Sequence, residues 1–162
     1  MVPAFVIGVG LGGLIDGVVF HQILQWHHML SSTPGHPVNT VAGLEVNTLA
    51  DGLFHLGTLL VLFVGITMLW RRTREGADTS WRSLVGPLLA GWGAFDVVEG
   101  LIDHQLLGIH HVRSGPDAFE WDMAYLAFGA VLVVVGSLLA RRERMRAARR
   151  PTEDVDDVVV RR

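Results

Sequence analysis

Apolar residues run with few interruptions through four stretches of the chain, residues 3–24, 52–70, 84–107 and 123–140. Each is close to the length of about 20 residues that a helix needs to cross the hydrocarbon core of a bilayer. The second and fourth contain hardly a polar group. The first and third carry carboxylates and many glycines, a pattern that buried helices of soluble proteins share. Together the four predict an all-α fold, a four-helix transmembrane bundle. The connection through Ser31, Ser32, Thr33, Pro34, Gly35, His36 and Pro37 reads as a turn-rich loop. No positively charged region precedes the first stretch, so it is expected to be retained rather than cleaved as a signal peptide.

The placement of charge orients these spans. All 13 basic residues are arginines. Arg71, Arg72, Arg74 and Arg82 lie between the second and third stretches, and all the remaining arginines except Arg113 follow the fourth. The connections 26–51 and 108–122 hold only Arg113. By the positive-inside rule the arginine-rich side is cytoplasmic, which puts both termini inside and the chain in the cytoplasmic (inner) membrane. Trp26 and Trp121 then fall at the outer interface and Trp70 and Trp81 at the inner one, where indole rings prefer to lie. Residues 143–162 turn Arg-rich and then acidic at Glu153, Asp154, Asp156 and Asp157, and are expected to be a cytoplasmic tail, a short interfacial helix followed by disorder.

Composition narrows the function classes. A chain of 162 residues suits a single domain, here residues 1–142, and a net charge of -3 gives no reason to invoke nucleic acid. With no cysteine, disulfides, zinc fingers, iron–sulfur clusters and thiol nucleophiles are excluded. The partner that remains is the lipid bilayer, with room for a homo-oligomer.

An internal duplication is the main pattern. Residues 14–28 read LIDGVVFHQILQWHH and residues 97–111 read VVEGLIDHQLLGIHH. Gly17, His21, Gln22, Leu24, His27 and His28 match Gly100, His104, Gln105, Leu107, His110 and His111, and Asp16 faces Glu99. Asp51 likewise matches Asp122, Gly65 matches Gly136 and Arg71 matches Arg142. The bundle is thus expected to be two tandem parallel two-span repeats, 3–72 and 84–142, related by a pseudo-twofold axis along the membrane normal. The shared pattern [DE]-G-x-x-x-H-Q-x-L-x-x-H-H resembles that of a family of small bacterial four-span integral membrane proteins catalogued as domain of unknown function 2243. That resemblance covers the chain to about Arg142; it implies the membrane assignment and brings no activity with it.

The polar residues inside these spans carry the chemistry. An ionised carboxylate near the bilayer centre costs about 3 kcal/mol even on a lenient scale, and no arginine lies within the spans to neutralise one. Either histidines and protons satisfy the carboxylates, or cations bind. Imidazole and carboxylate without thiolate suit zinc, iron, manganese or copper(II). If regular helix continues through the motif, His21 and His104 lie about 9 Å inward of His27 and His110, and Asp16 about 16 Å inward. Asp51 and His55, at i and i+4, share a face as a chelating pair. This places His21, Asp51, His55, His104 and Asp122 together as metal ligands in the outer half of the bundle. His27, His28, His110 and His111 stand at the interface as further ligands or as helix-end caps. Asp16 and Glu99, deeper, are the expected catalytic acid/base pair. Asp96, Glu99 and Asp103 form an acidic stripe on the third span alone, whereas His55 faces Leu126 in the duplication. The leading expectation is a membrane metalloprotein, a redox or hydrolytic enzyme acting on a lipid-phase substrate. The alternatives are transport or delivery of metal or protons, and bis-histidine haem ligation by His21 and His104.

Overall fold

The computed structural model describes residues 1–149. They fold into four helical rods, α1 (Val2–Asp16), α2 (Val41–Arg74), α3 (Trp81–Glu99) and α4 (Ala118–Ala148), and no strand occurs among the described residues. Two rods do not end where their α-helical geometry ends. Gly17–Ile23 continues α1 as a π-helical segment, and Gly100–Leu106 continues α3 in the same way. All four rods are long and apolar enough to cross a membrane, as Val2–Ile23, Val41–Arg74, Trp81–Leu106 and Ala118–Ala148.

The helices pack in the order α2, α1, α3, α4, with α1 against both α2 and α3, and α4 chiefly against α3. Glycine makes the central contact possible. A Cβ on Gly8 would collide with the Leu88 carbonyl oxygen, and one on Gly91 with the Phe5 carbonyl oxygen, so α1 and α3 cross backbone to backbone. The consequence is an inverted distribution of polarity. The buried set contains Asp16, Asp51, Asp96, Glu99, Asp122 and the histidines His21, His27, His104 and His110, while Leu53, Leu60, Phe63, Val131, Val134 and Leu138 lie outward on α2 and α4. A protein folded in water would place these two groups the other way round.

Three sequence expectations change in detail. α2 begins at Val41, eleven residues before the apolar stretch, because Thr40 caps it by accepting the Gly43 N–H at 3.1 Å. The connection expected over 26–51 is correspondingly shorter. The regular helix expected to run through His27 and His28 instead stops at Ile23. At the other end of the molecule, α4 continues to Ala148, well into the expected tail, whose residues 150–162 lie outside those described.

Candidate metal centre

After Ile23 the chain turns back on itself. Gln25 adopts φ 50° and Gly108 φ 59°, and each sits two residues before a pair of histidines. In this left-handed conformation the chain reverses and drives His27 and His110 down between the rods instead of onward along the axis. The π-helical segments contribute to the same result. An extra residue per turn shifts the face on which the following side chains emerge, which is why such segments recur at functional sites. His27 thereby comes to 4.4 Å from His21 between ring centroids and stacks on His110 at 4.7 Å.

Each of the four central imidazoles has an oxygen on its Nδ1 side. The His27 Nδ1–H donates to the Val112 carbonyl at 2.7 Å, and that of His110 to the Met29 carbonyl at 3.1 Å. The His21 Nδ1–H donates to Asp51 Oδ1 at 2.9 Å, while His104 Nδ1 faces Asp122 Oδ1 at a longer 3.5 Å. An imidazole that donates from Nδ1 presents a lone pair at Nε2. Those Nε2 atoms point inward. His21 Nε2 is 3.4 Å from Asp16 Oδ2, and Glu99 Oε1 is 2.9 Å from both His104 Nε2 and His110 Nε2.

The His21–Asp16 and His104–Glu99 contacts lack hydrogen-bond geometry. Asp16 Oδ2, His21 Nε2, His27 Nε2, His104 Nε2 and Glu99 Oε2 are buried atoms with no hydrogen-bond partner. A nitrogen and an oxygen at 2.9 Å, facing one another without a shared hydrogen, stand as two ligands of one cation stand. Two groups of these donors could hold a metal ion: His21, His27 and His110, and Glu99, His104 and His110. Burial, with the charges of His110 and His21 nearby, pushes the His27 pKa down to about 2, which keeps its imidazole neutral and available as a ligand.

Around this core lies a second ring of polar groups. Asp51 accepts from His28 Nδ1 at 2.6 Å and from the Met29 N–H at 2.9 Å; Asp122 accepts from His111 Nδ1 at 2.7 Å and from the Val112 N–H at 3.0 Å. Gln22 and Gln105 also donate to Asp51 and Asp122. Both oxygens of each aspartate are thus engaged by protein groups, and the pair lies behind the central histidines rather than among them. Carboxylates in this position fix the tautomer and orientation of a ligating imidazole.

The family model of a predicted membrane protein, DUF2243, matches residues 3–143. The chain belongs to this family. No curated protein and no solved structure matches it.

Of the ligands expected from sequence, His21, His27, His104 and His110 of this DUF2243 member meet at one place. His28 and His111 stand outside as donors to Asp51 and Asp122. His55 does not pair with Asp51; its ring lies 6.4 Å from that of His21, and its Nε2 abuts Gly17, where a Cβ would strike it. Asp16 and Glu99, expected to be deeper than the histidines, are in contact with them. The return of the chain after Ile23 and Leu106 removes the separation in depth that a continuous helix would impose. Sequence reasoning passed over Tyr125, whose hydroxyl lies 3.3 Å from both Asp16 Oδ1 and Asp96 Oδ1. As the chain's single tyrosine, in a span otherwise almost free of polar groups, it was visible but unpaired in the pattern. Asn47 was missed too; it holds the first connection by accepting the Leu30 N–H and donating to the His36 carbonyl, both at 2.9 Å.

Proposed function

We propose that the protein is an integral membrane metalloprotein of the cytoplasmic membrane, with a transition metal held by His21, His27, His104 and His110 together with Asp16 and Glu99. One observation carries this reading: four buried imidazoles with oxygens on their outer nitrogens converge on their inner nitrogens, beside two carboxylates. Protons alone satisfy such a cluster poorly. His110 has an oxygen against each nitrogen, so without a cation a further proton must sit between it and Glu99. The thiolate-free donor set suits zinc, iron, manganese or copper(II). Such a metal would supply Lewis-acid or redox chemistry to a redox or hydrolytic reaction on a lipid-phase substrate. Asp16 and Glu99 serve first as ligands on this geometry, and they are also the nearest carboxylates able to hold a proton beside the centre. Asp51 and Asp122 orient His21 and His104, with His28 and His111 holding the aspartates in turn; His55 borders the centre.

The duplication belongs to the same reading. Contacts in the two halves correspond at matching positions: His27 with Val112 and His110 with Met29, Asp51 with His28 and Asp122 with His111, Gly8 with Leu88 and Gly91 with Phe5. Two parallel hairpins, 3–72 and 84–142, would produce such pairs, with the metal centre near their common axis. The arginines favour an orientation in which the centre lies toward the outer face and both termini are cytoplasmic.

Transport is the weaker reading. Beyond the centre the buried carboxylates reach only to Asp96 among the described residues, and the remaining length of α1 and α3 is mainly apolar. A bis-histidine haem fits less well still, because His27 and His110 stack in the space between His21 and His104. The test is elemental analysis of protein purified without chelators, wild type beside His21→Ala and His104→Ala. Bound metal in the wild type and a lower metal content in both variants is the expected result. Wild-type protein free of metal would end the proposal.

A further inference from the structure

The donors of the centre are too many and too spread for one ion. Zinc holds imidazole nitrogen at about 2.1 Å, so two ligands of a single ion stand no more than about 4.2 Å apart. The donors form two triads that overlap only at His110, with the atoms of each triad lying within 4.8 Å of one another. Either triad needs only a small movement of its side chains to enclose one cation. No single ion reaches both without drawing them together, and the backbone carbonyls of Val112 and Met29, together with Asp51, anchor the rings from behind.

Burial favours cations at the inner carboxylates. Asp16, Asp51, Glu99 and Asp122 are each at least nine-tenths buried, and their close charged contacts are all with histidines. No arginine occurs between Met1 and Trp70, between Ser83 and Val112, or between Ser114 and Ala140. Histidine Nδ1–H groups reach Asp51 and Asp122, whereas Asp16 and Glu99, one in each half, face Nε2 atoms, where a cation can stand in place of a proton. The fifth buried carboxylate, Asp96, shares the Tyr125 hydroxyl with Asp16 and stands apart from the imidazoles.

We propose, resting on the metal-centre reading above, that the histidine–carboxylate cluster takes two divalent transition-metal cations side by side. One lies between His21 and His27, with Asp16 Oδ2 3.4 Å from His21 Nε2, the other among Glu99, His104 and His110. Each set contains one carboxylate and two imidazoles, and the sets occupy matching positions of the two halves. His110 belongs to both triads, which makes the two positions neighbours and the pair a dinuclear centre rather than two remote sites. Protein two-metal centres hold their ions about 3.5–4 Å apart, close enough to act on one bound group.

The experiment is a cobalt(II) titration of the full chain in detergent after metal removal, followed by visible absorption, with elemental analysis of the protein as isolated. The expected endpoint is two equivalents per chain, falling to one in Asp16→Asn and one in Glu99→Gln. The wild type decides the matter even if a variant fails to fold. A wild-type endpoint at one equivalent overturns the dinuclear proposal and leaves the metal centre standing. An endpoint at zero, with metal-free protein as isolated, overturns both.

Discussion

At the scale of single residues the important distinction is between histidines that face the cavity and carboxylates that stand behind them. Asp51 and Asp122 looked like ligands in the sequence because they share the outer half of the bundle with the histidines. Their oxygens are instead taken by imidazole and backbone N–H groups. Removing such a support leaves the ligands in place but misorients them, which typically lowers metal affinity 10–100-fold. Asp51→Asn and Asp122→Asn are therefore expected to bind metal with affinity reduced by about that factor while still reaching full occupancy at high metal. Competition against a chelator of known affinity measures this. Full loss of binding at saturation would put the aspartates in the ligand set itself. His104→Ala, by contrast, removes a ligand and is expected to lose the ion that His104 holds at any accessible concentration.

At the scale of elements, the sequence made the spans legible and the approach of the histidines illegible. Apolar length alone announced four rods, and the recurrence of Asp16 and His21 as Glu99 and His104 picked out two carboxylate–histidine pairs that are in contact. Depth along the rods failed, because it assumed that regular helix runs on to His28 and His111. The π-helical segments Gly17–Ile23 and Gly100–Leu106 and the reversals at Gln25 and Gly108 bring residues from beyond the helix end back into the core. One hint was available: Gly108 matches Gln25, and a glycine just before a histidine pair is the residue that a left-handed turn favours. The glycines of the crossing yield a prediction of their own. Gly91→Ala must push α1 and α3 apart at the Phe5 carbonyl, at a cost of roughly 1–3 kcal/mol in stability. Gly57→Ala, in an open part of α2, meets nothing within 4 Å and should be neutral or stabilise by up to about 1 kcal/mol. Thermal unfolding in detergent, comparing the two variants, separates them; equal effects would deny the close crossing.

At the scale of the whole molecule, the arrangement answers the polarity of a bilayer rather than of water. Leu53, Leu60, Phe63, Val131 and Val134 cover the outer faces of α2 and α4, while the charged groups within the rods turn inward. The two ends differ as well. At one end Trp26 and Trp121 pack 5.0 Å apart between ring centroids, with the Arg113 guanidinium over both rings. At the other, Trp70 and Trp81 carry Arg74 and Arg82 over their faces. An aromatic girdle at each end suits two interfaces, and the concentration of arginine at the second end favours the cytoplasm for it. Because the chain has no cysteine, single introduced thiols report this directly. Ser114→Cys, in the exposed connection before α4, is expected to react with a membrane-impermeant maleimide on intact cells or spheroplasts. Ala77→Cys, between α2 and α3, should react only after the membrane is opened. The reverse pattern would invert the topology and turn the metal centre toward the cytoplasm. The centre lies at the Trp26 and Trp121 end, where the two connections clasp through the Ser32 N–H and the Ile109 carbonyl at 3.0 Å. Orientation therefore decides which side of the membrane the proposed centre lies nearer.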